Sequence, residues 1–214
     1  AAREASLEQQ FSAFVNMEDF YNSVTVRAEA NAAALELGVA DYLADAQNRQ
    51  ALLQDVIPII LRSLRRSGAT SCFIMLANET HAPQKDAVYL RDLYPSDSPD
   101  NNSVLMTEAG PSELLYDHGL TLSSMWTTSL DTEQDCTFYQ TAFDGGNQYT
   151  DIPAMELGYF SAPVRIHSGD RPCITYTIPL LDEKHRSYGV IGFDITLDYL
   201  RKLLPNQDMT LDEY

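Results

Sequence analysis

Positive charge is scarce in this chain. Its 214 residues hold 14 Lys and Arg against 31 Asp and Glu, a formal net charge of −17 at pH 7. A surface that acidic repels phosphate backbones and anionic lipid, so no nucleic acid is expected as a partner. Long hydrophobic runs are missing too. No stretch of about 18 apolar residues offers a membrane-crossing helix, and no secretory leader is visible. Cysteine is limited to Cys72, Cys136 and Cys173, whose spacing fits no zinc ligand pattern. Cys72 and Cys173 lie in apolar, strand-like runs and read as buried thiols; a single disulfide would leave one thiol over. Signatures of catalysis are also lacking. There is no G-x-S-x-G elbow, no H-E-x-x-H pair and no G-x-x-x-x-G-K phosphate loop. "FDGGNQYTD" sets acidic oxygens beside a glycine turn without the spaced ligands of a calcium loop. The chain is therefore not expected to be an enzyme, and neither a cofactor nor a metal is expected.

What remains is ordinary globular composition, 44% hydrophobic and 21% charged, which argues against disorder. Residues from about Ser6 to Arg66 are rich in helix formers. Phe11, Phe14, Val15, Tyr21, Val24 and Ala28 recur at three- and four-residue steps, as do Leu35, Val39, Tyr42, Leu43 and Ala46. The pattern predicts a long N-terminal helix over 1–67, with a kink or break near 48–58 where Pro58 removes a backbone donor. Arg62, Arg65 and Arg66 before Gly68 suit its C-terminus. Strands are expected at Thr70–Asn78 and Asp86–Pro95. A mixed stretch follows from Gly110 to Asn147, with helical pieces at "PSELLYDHG" and "TEQDCTFYQTAFDGG". Three strands come next: Tyr159–His167, Cys173–Leu181 and Ser187–Ile195, joined by turns of hairpin length. A short helix, "LDYLRKLLP", closes the module at about residue 204. Short loops between the last strands argue for antiparallel neighbours, and helices packed on such a sheet make an α+β fold. Residues 205–214 read as the start of a further segment. The chain begins in helical composition and ends on "MTLDEY" without a stop signal, so both ends are expected to continue into a longer protein.

The element order and the closing stretch "TIPLLDEKHRSYGVIGFDITLDYL" resemble the Cache domains, PAS-like extracytoplasmic sensors of bacterial membrane receptors. "FYQTAF" followed by "YFSAPV" is similar to the family's pocket-lining segment. The resemblance covers nearly the whole chain and is closest to the membrane-distal module of double-Cache receptors. It implies a long helix packed on a PAS-like five-stranded antiparallel sheet, with a helical or loop insert before the last three strands. It also implies a function: binding a small molecule outside the cytoplasm and relaying the event through the long helix. The receptor would be membrane-anchored, its output a diguanylate cyclase, a histidine kinase or a chemoreceptor. A homodimer through the long helix is part of that expectation. The alternative is a ligand-free module for structure, dimerisation or relay of a partner protein.

Strand alternation gives the candidate site. In "YGVIGFDI", Ile191, Phe193 and Ile195 should face the core beneath the helix, and Tyr188, Val190, Gly192 and Asp194 the other side. Gly192 should leave room beside Asp194. A buried carboxylate needs a cation or several donors, and in amino-acid-binding members of the family the corresponding aspartate holds the ligand's ammonium. Equally, Asp194 could serve only to organise the following helix. The resemblance pairs Asp194 with Tyr139, and Trp126, Tyr159, Asp151 and Tyr176 complete the candidate ligand contacts. These come from a wider aromatic set that includes Phe138, Phe143 and Tyr149. The family's carboxylate-gripping arginine is replaced by Cys136, and Val164, Arg165 and Ile166 follow Pro163 where its tyrosine and aspartate would stand. That points away from an ordinary α-amino acid and leaves an amine, an organic acid or another metabolite open.

Overall fold

The computed structural model describes residues 2–77, 84–92, 105–110, 118–127, 130–131, 136–166 and 171–203. The N-terminal third is not one helix but three: α1 (Ala2–Ala34), α2 (Val39–Leu43) and α3 (Ala46–Ser67). The expected break near 48–58 is displaced. Helix α3 runs through Pro58, which is exposed, so the carbonyl it leaves without a donor faces water. The chain turns instead after α1. Glu36 adopts the left-handed conformation at φ 58°, and the N–H groups of Glu36 and Leu37 bond back to Ala33 and Ala32. That is a Schellman closure with glutamate where glycine usually stands. Asp45 then caps α3 by accepting from the N–H groups of Gln47 and Asn48, and Gly68 closes it at φ 65° with Arg65 and Arg66 in the last turn. Helices α1 and α3 run antiparallel. Asn16 donates to the Arg66 carbonyl near one end, and Asn31 to the Asp55 carboxylate further along, each at 2.9 Å.

Five strands form the expected antiparallel sheet: β1 (Ser71–Leu76), β2 (Gln84–Asp92), β6 (Tyr159–Phe160), β7 (Cys173–Leu181) and β8 (Ser187–Thr196), in the order β2-β1-β8-β7-β6. The insert differs from expectation, because it carries strands as well as a helix. β3 (Leu105–Ala109) and β4 (Thr121–Thr127) extend the β2 edge, and β5 (Leu130–Asp131) pairs with β2 separately. The second helical piece is α4 (Thr137–Gln148); most of the first lies outside the described residues. Strand β6 is also shorter than expected. Beyond Phe160 the pairing with β7 is broken up: the Ser161 N–H still bonds to the Thr175 carbonyl, Pro163 has no N–H to give, and a bridge joins Val164 to Cys173. After a single 3₁₀ turn at Ala154–Leu157 and the β7–β8 hairpin, the described chain ends in α5 (Leu197–Leu203).

The sheet has two buried faces. One packs on the helices, with Phe20, Val24, Leu53 and Ile57 against Ile74, Leu90, Ile191 and Phe193. The rings of Phe20 and Phe193 lie 5.6 Å apart. The other face is covered by α4, whose Phe138, Tyr139 and Ala142 pack on Phe73, Met75, Tyr89 and Val190. Tyr188 breaks the expected alternation. The register slips between Leu180 and Leu181 so that β8 gains one residue, and Tyr188 joins the helix-side core. The three cysteines are free thiols, Cys72 and Cys173 buried on opposite faces.

Candidate functional site

The pairing register sets four polar residues in one row across the sheet. Arg91 on β2 stands opposite Ser71 on β1, Ser71 opposite Asp194 on β8, and Asp194 opposite Thr175 on β7. Two residues along lies an aromatic row, Tyr89 and Phe73, with Gly192 and Thr177 beside them. Both rows belong to the face under α4, because side chains two apart on a strand share a face. Tyr89 and Phe73 stack at 5.2 Å, and Phe138 meets Phe73 edge-on at 6.0 Å.

Asp194 is 1% exposed. Its Oδ1 accepts from the Thr70 hydroxyl at 2.7 Å, and that hydroxyl in turn accepts from the Thr196 N–H. Among the described residues its Oδ2 has no hydrogen-bond partner. Arg91 Nη2 stands 4.0 Å away, too far for a hydrogen bond, while Arg91 Nε donates to Ser71. Burial therefore pushes the Asp194 pKa up from 3.8 to about 6, and the hydroxyls of Thr70 and Ser71 offset only part of the rise. Thr175 Oγ1, Tyr89 Oη and Tyr139 Oη are likewise buried without partners. Burial also raises the Tyr139 pKa strongly, so its hydroxyl keeps its proton. The face thus presents one carboxylate oxygen and three hydroxyls with unused hydrogen-bonding capacity. Such groups are costly to bury unless something pairs with them.

The structure sorts the sequence-predicted residues. Asp194 and Tyr139 share the α4 side of the sheet. Tyr159 joins them, since it pairs with Thr177 and packs at the edge of the same cluster. Tyr176 does not. It alternates with Thr175 and Thr177 onto the helix side, where it packs on the helix-side core and meets Phe160 at 4.4 Å. Asp151 is exposed in the turn after α4, away from the rows. Trp126 lies on β4, separated from β8 by β3, β2 and β1, and its side chain falls outside the described residues. The room expected beside Gly192 is taken: a Cβ there would collide with the Phe73 ring. Sequence reasoning missed Thr70, Ser71, Tyr89, Arg91 and Thr175. The alternation in "AVYLRD" and "CITYTI" puts Tyr89, Arg91 and Thr175 on one face of their strands. Thr175 pairs with Asp194 directly, but the register that brings Tyr89 and Arg91 towards it depends on pairing across β1.

No family model matches the chain, and no curated protein matches it in sequence. Among solved structures it is similar to the sensory domain of the Campylobacter jejuni chemoreceptor Tlp3, at 15% identity and TM-score 0.42 over 94% of this chain and 65% of that one. It is also similar to the periplasmic sensory domain of C. jejuni Tlp1, at 9% identity and TM-score 0.38 over 86% and 59%. A third is the extracellular domain of a protein described as a histidine kinase, soHK1S-Z6, at 13% identity and TM-score 0.41 over 94% and 62%. The chain therefore spans less than two thirds of each of these structures. The case for function rests on the side chains described above.

Proposed function

We propose that this chain is a non-catalytic sensor module that binds a small molecule bearing a cationic amine. It would stand on the extracytoplasmic side of a membrane-anchored receptor and relay binding through its helices to a cytoplasmic output. The observation that carries this reading is the buried Asp194 Oδ2, which accepts no hydrogen bond among the described residues, beside Thr175 on the face that also holds the spare hydroxyls of Tyr89 and Tyr139. Arg91 gives this oxygen a charge at 4.0 Å but no hydrogen bond; an ammonium would supply the close donor it lacks, and hydroxyls can accept its remaining hydrogens.

The test is a thermal-shift panel of amines, amino acids, organic acids, nucleobases and sugars at pH 7.5, repeated with Asp194→Asn. A ligand bound only by the native state, at a hundred times its dissociation constant, adds about 2.7 kcal/mol. The expected hit is an amine whose effect disappears in the folded variant. A second reading has its own support. Thr70 ties Asp194 to the Thr196 N–H at the start of α5, which is what a purely structural clasp would do. Silence across the panel, with Asp194→Asn only changing stability, would favour that clasp and a ligand-free relay module.

A further inference from the structure

A second site lies at the other end of β8. The α2–α3 junction, the end of α4 and the β7–β8 turn line a cavity of about 520 Å³ that opens to solvent. Its polar wall is made by Arg49, Asn147, Asp182 and Arg186, and Leu43 and Phe143 give it an apolar side. The volume falls in the range of small-molecule sites.

The hydrogen-bond accounts of this wall are one-sided. Asp182 is saturated. Its Oδ1 accepts the N–H groups of Lys184 and Arg186, and its Oδ2 accepts Nε and Nη2 of Arg186. Four bonds exhaust the four lone-pair positions of a carboxylate. Burial alone would raise its pKa, but these donors outweigh that and hold it below the ordinary value, so it stays ionised and spent. Asn147 Oδ1 is likewise used by the Ser187 N–H, leaving its amide hydrogens over. Arg49 is 5% exposed. Its Nε donates to Asp86, and its Nη1 to the carbonyls of Leu43 and Ala44. Among the described residues, no bond engages Nη2 of Arg49 or Nη1 of Arg186. The unused polar capacity is thus mainly donor, and two of its three sources are guanidinium groups.

The geometry points to a binding site for a small monocarboxylate with a hydrocarbon body, its oxygens on Arg49, Asn147 and Arg186 and its apolar part on Leu43 and Phe143. Guanidinium and amide donors match a planar carboxylate. The apolar wall disfavours a bare oxyanion such as sulfate, which has no surface to bury there. The chain's net charge of −17 disfavours polyanions. Occupancy would bridge the helices and the sheet, because Glu183 in the same β7–β8 turn already accepts from the Val39 N–H at the start of α2. This site is separate from Asp194, although its Phe143 wall stacks on Tyr139 of that face at 5.3 Å. Seven residue steps along β8 separate Ser187 from Asp194, about 23 Å of extended strand.

Benzoate is the probe, with sulfate as its control at matched ionic strength, followed by amide NMR. Two variants isolate the site. Asn147→Asp keeps the acceptor for Ser187 but turns the spare donor into a negative oxygen. Ala44→Phe fills the cavity from an exposed position with helical backbone. Benzoate up to about 10 mM should shift the amides of Ala44, Asn147 and Ser187 in saturable fashion, with affinity at least about tenfold weaker in both variants and unchanged in Asp194→Asn. No saturable shift, or shifts that survive both variants, would overturn the site. Sulfate binding as tightly as benzoate would overturn the carboxylate assignment.

Discussion

Asp194 is held by a hydroxyl on one oxygen and by no hydrogen bond on the other, and its titration should be visible in the stability of the whole domain. Its native pKa of about 6 lies above its ordinary 3.8, so the native state binds the proton more tightly than the unfolded chain. Its contribution is therefore fullest below pH 3.8 and is lost as pH rises through about 6. The rise corresponds to about 3 kcal/mol as an upper figure. Denaturant titrations between pH 4 and 8 should show that decline in the wild type and a flattened profile in Asp194→Asn. If the variant keeps the slope, another group is titrating. The proton also competes with an ammonium ligand, so amine affinity should fall about tenfold between pH 7 and pH 5. Arg49 presents the opposite case, a buried charge with good partners. Arg49→Met removes the 2.6 Å pair with Asp86 and the donors to two helix-end carbonyls. A loss of about 3–5 kcal/mol is expected, read from the denaturant midpoint at constant slope. A loss under about 1 kcal/mol would show that the pair behaves as a surface ion pair.

Helix α1 is closed by a left-handed Glu36 just beyond its last turn, and this is where the sequence reading and the molecule part most clearly. A left-handed non-glycine residue costs about 1 kcal/mol. Glu36 is exposed, so Glu36→Gly should raise stability by up to about 1 kcal/mol, measured by chemical denaturation. No gain would mean that the turn is held by something other than its backbone. The turn was hidden because apolar periodicity continues through Leu35, Val39 and Tyr42, while Pro58, a breaker by composition, falls on the solvent side of α3. The hairpin β7–β8 was legible from alternating apolar residues around a polar turn, and with it the placement of Asp194. Tyr176 was misplaced because all the aromatics were read as one set rather than by strand phase. Tyr188 was misplaced because a bulge leaves no mark in a single sequence. The polar row was out of reach for a further reason. Each of its members sits on a different strand, and register across strands separated by over a hundred residues is set by packing.

At the scale of the molecule, one sheet separates a helix layer from a candidate binding face, and β8 serves both. Self-association through α1 would bring the exposed Glu18, Asp19 and Glu29 of two copies together within a chain of net charge −17. Such a dimer should tighten as salt rises from about 0.05 to 0.5 M, as sedimentation would show. Relay of binding makes a stronger demand. Val190 and Asp194 face α4 while Ile191 and Phe193 face the helices, and Phe193 meets Phe20 of α1. A ligand on Asp194 can shift the helices only if it prefers one of their arrangements, and the coupling must then work in both directions. Phe193→Ala loosens the contact between α1 and β8 without touching the polar row. It should change amine affinity by at least about fivefold, the lower end of typical coupling. The same amine should alter hydrogen exchange in α1 of the wild type by a matching factor. Affinity unmoved by Phe193→Ala, together with helix exchange unmoved by saturating amine, would leave a binding domain whose two faces do not communicate, and the relay would have to run elsewhere.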